Sequence, residues 1–281
     1  MSQKFDLFFH LGFPKVASTF LQKEIFPKLS NIQYHRKRKF NEYMELDADR
    51  LTSNHLFSCE FDRELEIKVD EITAMWPDAK VLLFVRRQDK WLLSKYKYYI
   101  RKHGYVDFKE YFDIDANNGL LKREELFFEK KIKYIENRCK VKPLVLPHDL
   151  LKTNADLFFQ LINQYMDTSL SSDAKTGRVI NKAFSEKQLI CLRKFNQIYR
   201  YRKINTPFKI VNKVHYKYRQ FLLHIVAFLF RFIPSVFVSQ KSLVSDANLL
   251  SQIREYYKRD WEYCRGYSED YSRSIIDANR S

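Results

Sequence analysis

The 281-residue chain has only five glycines and seven prolines. That scarcity excludes low-complexity tracts and flexible linkers, and there is no self-similarity at solenoid or propeller periods. Its four cysteines, Cys59, Cys139, Cys191 and Cys264, are spaced as neither a zinc knuckle nor a CxxC pair. Scattered thiols of this kind point to a reducing compartment. No cluster of carboxylates suggests a metal. The N-terminus MSQKFDLFFHLGFPK has an apolar run of only seven residues, broken at once by Gly12 and Pro14, which is too short for a signal peptide. The expectation is a cytoplasmic protein, peripheral if it meets a membrane.

What the chain does have is apolar content and positive charge. Hydrophobic residues make up 45%, enough for a packed core. Lysine and arginine number 50 against 34 acidic residues, a net charge of +16. A field of that sign concentrates anions, whether nucleic acid, an anionic membrane, an acidic polysaccharide or a nucleotide.

The run from Phe5 to Leu11, closed by Gly12 and Pro14, reads as a buried strand, and Ser18 to Phe26 as a helix stopped by Pro27. His55–Ser58 is a second strand and Lys80–Val85 (KVLLFV) a third, apolar throughout as in a sheet covered on both faces. A helix over Lys90–Lys102 follows, with Asp89 as N-cap and Gly104 as stop. Leu144–Leu146 is a strand and Asn154–Met166 a helix; beyond Ser185 the pattern is helical only. Alternating strands and helices predict an α/β body with a mostly parallel central sheet over residues 1–205. A helical C-terminal extension, 206–281, is expected to pack on it.

After the first strand comes Gly12-Phe13-Pro14-Lys15-Val16-Ala17-Ser18-Thr19. A glycine, then hydroxyl residues opening a helix, make an anion cradle of backbone N–H groups and helix dipole. The layout is close to the Walker loop, but there a lysine sits just before the hydroxyl residue. Here Ser18 holds that position, and the lysine is Lys15. The strand KVLLFV ends in Arg86, whose planar fork suits a phosphate, and Ser94 follows eight residues later with Tyr96 just beyond. Lys90, Ser94, Lys97 and Arg101 share a helical face. For Lys97 and Arg101 the reading is a solvated basic face.

These two motifs, in this order, resemble those of sulfotransferases that use 3′-phosphoadenosine-5′-phosphosulfate, the bacterial carbohydrate-modifying type in particular. The resemblance implies a P-loop-like α/β fold. It implies that Gly12, Pro14, Lys15, Val16, Ala17, Ser18 and Thr19 hold the 5′-phosphosulfate, with Lys15 on the bridging oxygen. Arg86 and Ser94 would hold the 3′-phosphate. Ala17 departs from the family's usual glycine, and Arg87-Gln88 from its usual Asp/Asn-Pro. Further on, Phe57-Ser58-Cys59-Glu60 resembles the strand that supplies an acid in carbohydrate-modifying members. The stretch PLVLPHDLL over residues 143–151 resembles their V-L-x-Y-E-D-L segment. Arg178-Val179-Ile180-Asn181-Lys182 resembles R-x-x-N-x-S, which adds Arg178 to the donor ligands. Similarity runs from about Phe5 to Leu192 and then fades.

The implied reaction is sulfuryl transfer to a hydroxyl or amine without a metal. Positioning and charge stabilisation dominate such a displacement. Lys15 and Glu60 are the catalytic candidates. Glu60 as the base competes with a plain helix-capping role, and with His55, His103 and His148; His10, inside the first strand, reads as packed. The basic surplus favours an anionic or lipid-linked saccharide as acceptor. The rival classes are a nucleotide-dependent kinase on the same loop topology and a non-enzymatic basic binder of nucleic acid. The first requires the Walker lysine, and the second a reader motif that this sequence does not contain. The most apolar stretch, 221–238 (FLLHIVAFLFRFIPSVFV), sits at the lower edge of spanning length and carries Arg231 and Pro234. It reads as a core helix, a dimer contact or a segment lying in a membrane interface.

Overall fold

The computed structural model describes residues 5–47, 51–170, 184–200, 206–234, 238, 242–244, 246 and 248–278. Five strands form one sheet in the order β2-β3-β1-β4-β5: β1 (Leu7–Gly12), β2 (Ile32–His35), β3 (Asn54–Glu60), β4 (Lys80–Val85) and β5 (Leu144–Pro147). Every pairing is parallel. All six residues of β1 are buried, as are Val81–Val85 of β4, so both faces of the sheet centre are covered. The α/β class read from the sequence is therefore the observed one. Aromatic rings fill the space above β1 and β3, with Phe9 stacked on Phe57 and edge-on to Phe40 and Tyr43.

The chain divides into two compact units. The first comprises 1–91, 124–180 and 256–281, and holds the sheet with α1 (Ser18–Phe20), α2 (Leu65–Met75), α5 (Phe128–Arg138), α6 (Leu150–Thr153), α7 (Ala155–Met166) and α11 (Lys258–Ala278). Within it α11 packs on β5, α5 and α7. The Tyr165 hydroxyl of α7 donates to the carbonyls of Val81 and Lys142. Buried Asp260 is the main polar tie. It accepts from the amides of Phe128 and Glu129, capping α5, and from the Gln88 side chain at 2.5 Å. Burial pushes its carboxyl up to about 6 against the pull of those donors.

The second unit comprises 92–123 and 181–255. It holds most of α3 (Gln88–Arg101), α4 (Phe108–Tyr111), α8 (Glu186–Ile198), α9 (Lys209–Leu229) and most of α10 (Leu249–Tyr256). Here Arg193 donates to the Tyr96 hydroxyl, Asn196 to the carbonyls of Ile100 and Gly104, and Gln188 to the Ala227 carbonyl. Arg219 lies over the Tyr199 ring at 4.0 Å.

Several expectations shift. The helix after β1 is α1 followed by a π turn over Leu21–Ile25 and a 3-10 turn over Phe26–Lys28, carried past the expected stop at Pro27. Helix α3 begins at Gln88, so Asp89 is no N-cap; it lies in the first turn, paired with Arg87 through two bonds of 2.7 and 2.9 Å. The left-handed residue that ends α3 is His103 (φ 71°), not Gly104, which is needed because a Cβ there would strike the Tyr99 ring. Lys97 is paired with Glu186, and Arg101 lies over the Phe184 ring. Strand β2 and helices α2 and α5 were not foreseen. The apolar helix ends at Leu229, so Arg231 lies beyond it, and much of its apolar surface is exposed instead of forming core.

Asp260→Ala leaves the amides of Phe128 and Glu129 without their acceptor and the Gln88 side chain with only the Leu126 carbonyl. We expect a loss of at least about 2 kcal/mol, read as a lower urea midpoint with an unchanged slope.

Candidate anion-binding site

A parallel sheet brings the C-terminal ends of all its strands to one edge, where open α/β sheets bind ligands. Gly12 ends β1, directly opposite Glu60 at the end of β3. On the other side of β1, β4 ends at Val85 and is followed by Arg86, and β5 ends at Pro147 with His148 and Asp149 next. Chain order runs from β1 out to β2 and β3 on one side and to β4 and β5 on the other, so the crevice between the β1 and β4 loops is the switch point of the sheet.

The loop after β1 is strained and braced. Lys15 and Ala17 both have left-handed backbones, at φ 73° and 71°. Alternation of this kind turns successive peptides and forms a concave array of N–H groups. The strain, on the order of 1–3 kcal/mol per residue, persists because neighbours hold the loop. Trp91 Nε1 donates to the Pro14 carbonyl at 2.7 Å, and Arg86 Nη1 to the Lys15 carbonyl at 3.1 Å. Phe13 is fully buried against Phe128, with Lys131 over its ring at 4.6 Å. Gly12 has no room for a side chain, since a Cβ would lie 2.6 Å from His10 Nε2.

Ala17 is the N-cap of α1 and supplies no side-chain acceptor to its opening N–H groups. A helix start without a side-chain cap presents those donors to an anion. The Ser18 side chain is buried and donates to the Phe13 carbonyl at 3.3 Å, so it stiffens the loop from within; Thr19 is exposed beside it. Val16 is buried, and Pro14 and Lys15 are half-buried.

Arg86 is half-buried, and burial lowers its pKa despite the nearby Asp149 and Asp89. Its Nε is buried and has no hydrogen-bond partner among the described residues. Arg87 points elsewhere, locked to Asp89, and lines a separate cavity of about 570 Å³ with Asp149, Trp261 and Arg265 that includes no residue of the 12–19 loop. Gln88, foreseen as a departure, is the residue that bonds Asp260. Sequence spacing gives no sign of that link, because its partners are 172 positions apart.

The candidate bases separate by position. Glu60 is half-buried at the sheet edge. His10 is sealed in the core with Nδ1 2.7 Å from the Ser58 hydroxyl, and burial drives its pKa to about 3. Ser58 is also bonded by Gln22, so this network sits directly beneath Gly12. His55 pairs with His35 at 2.9 Å inside the sheet. Burial and Arg86 hold His148 at about 4. His103 and Ser94 belong to the second unit, Ser94 half-buried in the second turn of α3. Tyr96 is buried there, its hydroxyl donating to the Val106 carbonyl. Arg178 lies outside the described residues.

Ala17→Gly removes the left-handed penalty while adding freedom to the unfolded chain. The net gain expected is about 0.5–1 kcal/mol, a melting temperature higher by roughly 1–4 °C, measured by calorimetry.

No family model and no curated protein matches the chain. Among solved structures, a sulfotransferase from Alicyclobacillus acidocaldarius is similar with a TM-score of 0.48 at 13% identity, over 69% of this chain and 96% of that one. The mouse sulfotransferase SULT7A1, complexed with PAP, is similar with a TM-score of 0.35 at 12% identity, over 82% and 88%.

Proposed function

We propose that the chain is a sulfotransferase that moves a sulfuryl group from 3′-phosphoadenosine-5′-phosphosulfate to a hydroxyl or amine. The observation that carries the reading is the braced, left-handed loop at Gly12–Ser18, with Lys15 in its middle and Arg86 bonded to its backbone. A donor with anionic groups at both ends of its ribose suits these residues. The α1 opening, with Ser18 and Thr19, offers N–H groups for the 5′ end. Arg86, with one nitrogen on the loop, offers its remaining guanidinium N–H groups to a second phosphate.

When bound, the donor supplies a sulfuryl group on a phosphate leaving group. The chain's own residues then position and stabilise. Lys15 places a cation where charge grows on the leaving oxygen. Glu60, across from Gly12, takes the acceptor's proton. Its position at the sheet edge favours it over His10, which no acceptor can reach. Just past Glu60, a cavity of about 230 Å³ is lined by Asp62, Arg63, Leu65, Glu66, Glu124, Glu125 and Lys131, with Glu125 held by Arg63. Carboxylates and cations side by side suit a hydroxyl-rich ligand, which supports a saccharide acceptor, free or lipid-linked.

Adenosine 3′,5′-bisphosphate at one hundred times its Kd is expected to raise the melting temperature by roughly 5–10 °C without magnesium. A shift only with ATP and magnesium would replace this reading with a kinase. Lys15→Ala lowers turnover by about 10²–10³ at saturating donor with folding intact; unchanged turnover removes the lysine from the mechanism. Glu60→Gln lowers turnover by about 10²–10⁴ with donor binding unchanged; a fully active variant assigns the base elsewhere.

A further inference from the structure

Helix α9 has two dissimilar long faces. Arg219, Leu223 and Ala227 are buried within the second unit. Gln220 bonds Lys102 and His103, so this side is fastened to the end of α3. The opposite side is apolar and open. Ile210, Val214, Tyr218, Phe221, Ile225 and Phe228 recur every three or four residues and are between 41% and 78% exposed. Phe232, 68% exposed, extends the stripe past the helix end and meets the Phe228 ring edge-on. Lys187 donates to the carbonyls of Arg231 and Ile233, which ties this extension to α8. A stripe of this length, about six turns of helix, exceeds what a monomer's surface ordinarily exposes.

The charge around the stripe is one-sided. Lys209, Lys213 and Lys217 are all exposed and border it along one edge at four-residue spacing. Between Glu186 and Asp246 the sequence contains twelve lysines and arginines and no acidic residue. Most of the net charge of +16 therefore falls in about one-fifth of the sequence, the stretch that contains this helix. A second copy of the same face would bring like charges together, and the sequence between 187 and 245 has no carboxylate to pair them. A bilayer of anionic lipids supplies both an apolar layer for the rings and phosphates for the lysines, whose stems reach from one to the other. No helix among the described residues is long and apolar enough to cross a membrane, so the geometry is that of a helix lying in the interface.

We infer that α9, with its extension to Phe232, is an interfacial docking surface for anionic bilayers. This holds whether or not the chain is a sulfotransferase. The test is flotation of the full chain with vesicles of phosphatidylcholine alone and of phosphatidylcholine mixed with phosphatidylglycerol, at low and at molar salt. Flotation is expected with the mixed vesicles only, and to weaken with salt. Lys213→Ala and Lys217→Ala should each lower partitioning about fivefold. Phe221→Glu combined with Ile225→Glu should abolish it with the circular dichroism melt unchanged, since both side chains point into solvent. Absence of flotation with either vesicle overturns the inference. So does equal, salt-insensitive binding to both, or a concentration-dependent dimer in sedimentation that the Phe221 and Ile225 substitutions dissociate.

Discussion

The site depends on two hydrogen bonds. Trp91 Nε1 and Arg86 Nη1 hold the consecutive carbonyls of Pro14 and Lys15. They keep a loop with two non-glycine left-handed residues from relaxing into an ordinary turn. With those carbonyls engaged by the β4–α3 connection, the N–H side of the loop is the side left to a ligand. The bracing residues follow the strand beside β1, Arg86 directly after β4 and Trp91 in the first turn of α3, so the sheet's own register sets the geometry of the cradle. Arg86 is both brace and candidate ligand: one nitrogen holds the loop, and another is buried with no partner among the described residues.

A second layer holds the brace. Gln88 follows Arg86 by two residues and is fixed to Asp260, which also caps α5. Phe128, the first residue of α5, packs against both Phe13 of the loop and Trp91. Loop, brace and C-terminal helix α11 thus share one buried node. Beneath them, His10, hydrogen-bonded to Ser58, fills the space that the absent side chain of Gly12 leaves.

The central strands and the loop were legible because their signals are local: LFFHLG and KVLLFV are continuous apolar runs, and Gly12 to Thr19 is one contiguous motif. Glu60 opposite Gly12 was legible for a related reason, since strand ends in a parallel sheet share an edge. The polar edge strand β2 (IQYH) carries no such run, and its pairing with β3 comes from tertiary contact. Helix α2 has little amphipathic contrast. The brace itself was hidden, because nothing local marks a helical tryptophan as the donor to a carbonyl 77 positions earlier. Asp89 misled by its position: an acid at a helix start normally caps it, but α3 begins one residue earlier and Asp89 is paired with Arg87. The apolar stretch was visible, but composition alone does not tell a buried face from an open one.

The most direct measurement is a calorimetric cycle: adenosine 3′,5′-bisphosphate and adenosine 5′-monophosphate titrated into the native chain and into Arg86→Ala. If the loop holds the 5′ end and Arg86 the 3′-phosphate, the bisphosphate binds the native chain at least about tenfold more tightly, and Arg86→Ala abolishes most of that preference. Equal affinity of the native chain for both nucleotides, or a preference that survives the substitution, would contradict the account.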